Sequence, residues 1–443
     1  MFREHFSDFE VKDLWGDFHA FCTEYRHLVP LALREALDAF YLARKAYGEA
    51  KKRIVRSCRL NHKAVTAADR EAWLKEHCII IEVQKCQKPY PPLQHWVVES
   101  GEIAELWHAH CVDGKLHDKR GKHYPLFRVD ETELVVARAD QSVLFVDKDS
   151  RELVAFVIRN WCPEAGIVDS VNAVVHNAAA YKKNVRLDDP GFMSHAGYTA
   201  GSRSQPGFDW ARNLSPKLAK DSAFVRSMRY QESSICAFLW NMAKGTLPAE
   251  VIKSYDDFLH SHHMARMGCG DGDFRKVGEY MVKDSSVPPD APYPSTFTFQ
   301  AVERSPPSAL FSVNYASYLL KYTRRIHWEG SPHKWLFSWT LKRHYGPESG
   351  GNFYIPEHKI KIEGASNSCV GWWPGKPHGT SLRACGPQEQ LATLYEVGLS
   401  FVTSSRLPKQ WTCYTASNFN EKERDQIMKE LGDQFDTDVE ADV

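Results

Sequence analysis

Apolar residues recur along this chain with two different periods, and the change of period divides it. Between residues 6 and 58 they return at helical spacing (Phe21, Leu28, Leu33, Leu37, Phe40, Leu42, Tyr47), which predicts two helices broken near Pro30. AADREAWLKEHC predicts a further short helix. After residue 124 the pattern shortens. PLFRVDETELVVARADQSVLFVDKDSRELVAFVI sets brief apolar runs between charged turns and reads as a strand meander. IVDSVNAVVHNAAAYKKNV returns to an amphipathic helix, HAGYTAGSRSQPGFDW (195–210) reads as a Gly/Ser/Pro loop, and ESSICAFLWNMAKGTLPAEVIKSYDDFLHSHHMARM is helical again. Beyond the stiff SVPPDAPYPS (286–295), strand follows strand with no long helix between. Residues 296–412 are therefore expected to form an antiparallel barrel or sandwich.

Composition sets bounds on this picture. The 443 residues are 43% hydrophobic and 25% charged, an ordinary globular balance. No apolar run is long enough to predict a membrane span, and MFREHFSDFEVKDLWGDF has no signal-peptide core. The eleven cysteines contain no Cys-x-x-Cys pair and read as reduced thiols of a cytosolic or nuclear protein. Fifty-six Lys and Arg balance 56 Asp and Glu, which excludes a generic basic coat for nucleic acid and leaves local patches. One such patch has eight Lys or Arg between Arg44 and Lys63 against the single acid Glu49. A solvated helix face and a phosphate-binding stretch are both open readings of it. The acidic end, DQFDTDVEADV, is expected to be disordered.

Candidate chemistry begins at RIHWEGSPHKW (325–335). Side chains two apart on an extended chain point the same way, so His327 and Glu329 can reach one ion. A second histidine, His378 in GKPHGTSL, completes two His and one carboxylate on one face, the donor set of non-haem Fe(II) oxygenases. The rival cluster, HSHH at 260–263, matches no zinc spacing and reads as polar helix-terminal sequence.

With what lies between, residues 327–382 resemble the Fe(II)/2-oxoglutarate oxygenases, and more narrowly the fungal branch of the ten-eleven-translocation and J-base-binding-protein oxygenases. The resemblance rests on His327-x-Glu329, Trp335, Gly350-Gly351, Pro356-Glu357 and His378-Gly-Thr. It extends upstream through VDKDSRELVAFVIRNWCPE and GYTAGSRSQPGFDW, so that it covers about residues 125 to 412. It implies an α+β fold with a double-stranded β-helix core (jelly-roll, cupin-like), flanking helices and an N-terminal helical extension. The expected division is a helical region over 1–120, the dioxygenase domain over 121–415 with a helical insert at about 210–285, and a C-terminal helix and acidic tail over 416–443.

The resemblance also implies the chemistry. Fe(II) would be held by His327, Glu329 and His378, with 2-oxoglutarate as co-substrate, and a methyl group on a DNA base would be oxidised as succinate and CO2 leave. The base is 5-methylcytosine first and N6-methyladenine second, flipped from double-stranded DNA by a nuclear, monomeric protein. Trp328, with Trp335, Trp339, Trp372 and Trp373 nearby, is a candidate to stack the base. Arg324 and Arg325, with Lys321, are candidates for phosphates, and Gly201 and Arg203 for a close approach to the backbone. Two positions depart from the family: Glu329 stands where Asp is usual, and Gln388 where an Arg clamps 2-oxoglutarate. Lys342 and Arg383 are the replacement candidates for that clamp. The alternative is a catalytically inactive barrel that binds DNA or protein.

Overall fold

A computed structural model describes residues 20–60, 65–111, 124–185, 192–268, 270, 272–314, 323–385 and 396–416. Lys63, Lys321, Gln388 and the acidic tail lie outside them.

Among these residues nine strands form one mixed sheet. Their order is Ile79–Val83, Val143–Asp147, Leu153–Ile158, Ser368–Trp372, Leu336–Arg343, Glu396–Ser400, Ser308–Asn314, Phe192–Gly201 and Pro206–Trp210. A smaller sheet runs Gly379–Thr380, Phe353–Ile355, Ile360–Ile362 and Val135–Ala137. The segment at His327 extends it by an antiparallel bridge to His378. Counted along the chain from Ser308, with the His327 segment as the second, eight strands are divided between the two sheets. The large sheet takes the first, third, sixth and eighth, and the small one the second, fourth, fifth and seventh. That order is a jelly roll, two interlocked Greek keys.

Strand alternation sorts the side chains into two layers. Phe337, Trp339, Leu341, Val397 and Leu399 pack in one core with Ile167, Val171 and Val175 of helix Ala165–Tyr181. Phe145, Ala155, Val157, Val370 and Trp372 point the other way, against Ile355, Ile360 and Ile362 of the small sheet. The helix Ala165–Tyr181 lies across the strands at 308–314, 336–343 and 396–400, and Ser222–Thr246 packs against it. No described helix is long and apolar enough to cross a membrane.

The described residues of the first 120 are built into this body. Ile79–Val83 pairs parallel with Val143–Asp147, so a strand from the expected helical region belongs to the large sheet. Trp96, Val98, Ile103 and Trp107 cluster around Leu382, and Trp107 Nε1–H donates to the Arg383 carbonyl at 2.8 Å. Of the basic stretch, Arg53 on helix Leu31–Ser57 pairs with Glu164 and Asp284 at 3.2 and 3.1 Å, and Arg59 donates to the Gly245 carbonyl.

Three sequence expectations are corrected. In the expected meander only Val143–Asp147 and Leu153–Ile158 pair with each other; Leu126–Arg128 and Val135–Ala137 pair in parallel with Trp96–Val98 and Ile360–Ile362. Residues 195–210 are a hairpin rather than a loop, because Ser194, Ala196, Tyr198 and Ala200 bury one alternating face. Thr296–Glu303 pairs with Val277–Lys283 outside the barrel, which begins at Ser308.

Candidate metal centre

The site is set by backbone pairing. His327 N–H donates to the His378 carbonyl at 2.9 Å, and His378 N–H to the His327 carbonyl at 2.8 Å. Residues paired this way sit directly opposite and share a face, and the two rings lie 4.4 Å apart between centroids. Each ring is then locked. His327 Nδ1–H donates to the Arg325 carbonyl and His378 Nδ1–H to the Lys376 carbonyl, both at 2.8 Å. With Nδ1 as donor, each Nε2 carries a lone pair and faces the remaining ligand position. Burial pushes both imidazoles below their ordinary pKa, so they are neutral and ready to bind at physiological pH.

Glu329 follows two residues after His327, and its N–H is held by the Pro374 carbonyl at 2.9 Å. Ligand atoms of His327, Glu329 and His378 all lie within 4.8 Å of one another. Among the described residues this is the one such group. His327 Nε2 is buried with no hydrogen-bond partner there, the mark of a position completed by a ligand. Two neutral imidazoles and a carboxylate fit a divalent first-row ion. The second carboxylate oxygen, Oε2, accepts from Arg324 Nη1 at 2.9 Å. His378 also forms part of the wall of a cleft of about 340 Å3, lined further by Trp372, Trp373, Lys376, His358 and Asp147.

The other candidate residues separate. Trp328, between two ligands on an extended chain, points the opposite way and is 47% exposed beside the site. Arg325 is directed to the N-terminal segment: it donates to Gln94 Oε1 and Tyr124 Oη, both at 2.9 Å, and stacks on the Tyr124 ring. Gly201 and Arg203 lie at the tip of the 192–210 hairpin, on strands at the sheet edge three places from Leu336–Arg343. There Gly201 has φ +69°, and its carbonyl accepts from Arg406. Trp335 and Trp339 are buried in the helix-side core, and so are not available to a base.

Lys342 is turned away. A bulge between Thr340 and Lys342 breaks the two-residue alternation, so Lys342 sits opposite Val397 on the helix side and Arg343 opposite Glu396. Lys342 pairs with Asp169 of the flanking helix at 2.7 Å. Arg343 takes the face that unbroken alternation would give Lys342. Together with Arg383 it converges on Glu396 Oε2, at 3.3 and 2.8 Å, and Tyr345 Oη–H donates to the same oxygen. Arg343, Tyr345 and Glu396 are missing from the sequence reading. The Lys342-Arg343 pair at the strand end was a visible signal, but nothing in the sequence marks the bulge.

No family model matches the sequence, and no curated protein matches it. Among solved structures, NgTET1 in complex with 5mC DNA aligns at 8% identity and a TM-score of 0.36, covering 63% of this chain and 88% of that one. A prolyl hydroxylase from Trichoplax adhaerens, in complex with a hypoxia inducible factor peptide fragment, aligns at 9% identity and a TM-score of 0.24, covering 57% and 85%. The jelly roll rests on the strand order itself.

Proposed function

We propose that this protein is an Fe(II)- and 2-oxoglutarate-dependent dioxygenase that oxidises a methyl group on a modified base of double-stranded DNA, 5-methylcytosine ahead of N6-methyladenine. One observation carries the reading: the reciprocal backbone pair of His327 and His378, which brings two neutral imidazoles and Glu329 to one point in a jelly roll. The bound ion, with co-substrate and oxygen, supplies the oxidising power for breaking a C–H bond. The chain supplies orientation. Nδ1 hydrogen bonds aim both Nε2 atoms, and Arg324 steadies the longer Glu side chain that stands in place of Asp.

The cleft beside His378 supports a planar substrate, since Trp372 and Trp373 offer aromatic surface to a base drawn out of the duplex. Arg343 and Arg383 are the cations suited to a carboxylate of the co-substrate. A nuclear monomer accords with a DNA substrate.

The test is incubation with Fe(II), 2-oxoglutarate and duplexes carrying either methylated base. Succinate release and an oxidised nucleoside by mass spectrometry are expected with 5-methylcytosine. Failure of the protein to take up Fe(II) anaerobically sinks the reading. A second reading, an inactive barrel that binds DNA or protein, draws on Glu396, whose carboxylate lies against the two arginines. Its mark is duplex binding without iron uptake.

A further inference from the structure

The Arg343, Arg383, Tyr345 and Glu396 group is built as a carboxylate site. The side chains of Arg343 and Arg383 are 1% and 3% exposed, and that of Glu396, at 18%, is the more open member. Arg343 is held independently of Glu396: Nη2 donates to the Gly350 carbonyl at 2.5 Å and Nη1 to the Gly351 carbonyl at 3.1 Å. Its guanidinium carbon lies 4.0 Å from the centre of the Tyr345 ring, and that of Arg383 lies 5.3 Å from the same ring. Backbone carbonyls and an aromatic face therefore fix the cations before any carboxylate arrives. All three donors then meet on one oxygen of Glu396. Burial alone would raise the Glu396 pKa, but the two guanidiniums and Tyr345 outweigh it and hold the group ionised.

We propose that Glu396 is an internal occupant of an acid-binding site, and that a dicarboxylate binds there only by displacing it. A bound dicarboxylate and the Glu396 carboxylate compete for the same guanidinium and phenol donors. Affinity for the external acid is therefore reduced by the strength of the internal contact. The inference deepens the dioxygenase reading and rests on it only for the choice of acid.

The experiment is calorimetric titration of the metal-free full chain with 2-oxoglutarate and with glutarate, which lacks the keto group. Glu396→Gln should bind both about tenfold or more tightly than the unmodified chain, as expected for loss of a competing charged contact. Adding Arg383→Gln should cancel the gain. If Glu396→Gln melts early, Glu396→Ser serves, since Arg343 keeps its carbonyl partners. A folded variant with unchanged or weaker acid binding overturns the proposal, and so does a gain that survives Arg383→Gln. Mn(II) binding, measured in parallel, separates the two readings. A gain in acid affinity without Mn(II) binding keeps this inference and removes the iron site; Mn(II) binding without the gain does the reverse.

Discussion

Arg324 Nη1 lies 2.9 Å from Glu329 Oε2, so the guanidinium holds one oxygen of the candidate metal-binding carboxylate. Its backbone is fixed as well, since Arg324 N–H donates to Thr380 Oγ1 and Thr380 N–H to the Arg324 carbonyl, both at 2.9 Å. Such outer partners orient ligands and typically change metal affinity by roughly 10- to 100-fold. Arg324→Ala should weaken Mn(II) binding by at least about tenfold, with partial recovery in Arg324→Lys. Electron paramagnetic resonance titration reads it directly. Tighter binding in Arg324→Ala would show that the guanidinium competes with the ion for Glu329.

His378 should be both a ligand and part of the packing. Its ring is buried, 5.7 Å from Trp372 and 6.0 Å from Phe353 between centroids. His378→Ala should abolish Mn(II) binding and also destabilise the fold by about 1–3 kcal/mol, because the lost ring leaves a partly unfilled space. His378→Gln refills most of that volume, so it should recover stability in urea titrations without recovering the metal. Retained Mn(II) binding in either variant would mean that the third ligand lies elsewhere.

Asp147 gives the fold a dependence on acid. Ser150 N–H donates to Oδ1 at 2.8 Å and His358 Nε2 lies 3.0 Å from Oδ2; led by the Ser150 contact, these hold the carboxyl down at about 2. The folded pKa is below the unfolded value of about 4, so the stabilisation is present above that value and is lost as pH falls towards 2. Asp147→Asn should lower stability at pH 6 and flatten its decline between pH 5 and 3. A urea midpoint that falls as steeply in the variant would assign the acid sensitivity to other carboxylates.

The triad was legible because two rules reach it from sequence: the parity of i and i+2 on a strand, and the short list of residues that bind iron. Fifteen residues later the two-residue alternation is broken. Counting by twos along Leu336–Arg343 puts Lys342 inside the barrel, and one bulge reverses it in favour of Arg343. The contacts of Arg325 were hidden for another reason. Its partners Gln94 and Tyr124 lie more than 200 positions earlier, and no local pattern reports so distant a pairing. In the 192–210 hairpin, small residues that let strands pack closely look like loop composition when only the sequence is read.

Gly350 tests whether the Gly-Gly turn is needed for the acid site. It has φ +76° and ψ −163°, a region essentially confined to glycine, where an L side chain costs about 1–3 kcal/mol. A Cβ added there would stand 2.1 Å from the Leu382 carbonyl oxygen, on the strand that continues from His378 to Arg383. That oxygen cannot move freely, because it belongs to backbone whose neighbours are committed: Leu382 N–H to Val97 and the Arg383 carbonyl to Trp107. Gly350→Ala should therefore destabilise the protein by more than the conformational term alone, about 2–4 kcal/mol with the clash included. It should also weaken glutarate binding to Glu396→Gln, since shifting the turn moves the carbonyl that holds Arg343 Nη2. Gly48→Ala is the control: it lies inside helix Leu31–Ser57 with nothing within 4 Å of an added Cβ. There the substitution should be neutral or stabilising by about 0.5–1 kcal/mol. Urea midpoints of the two variants decide the matter, and equal effects would mean that the turn carries no special constraint.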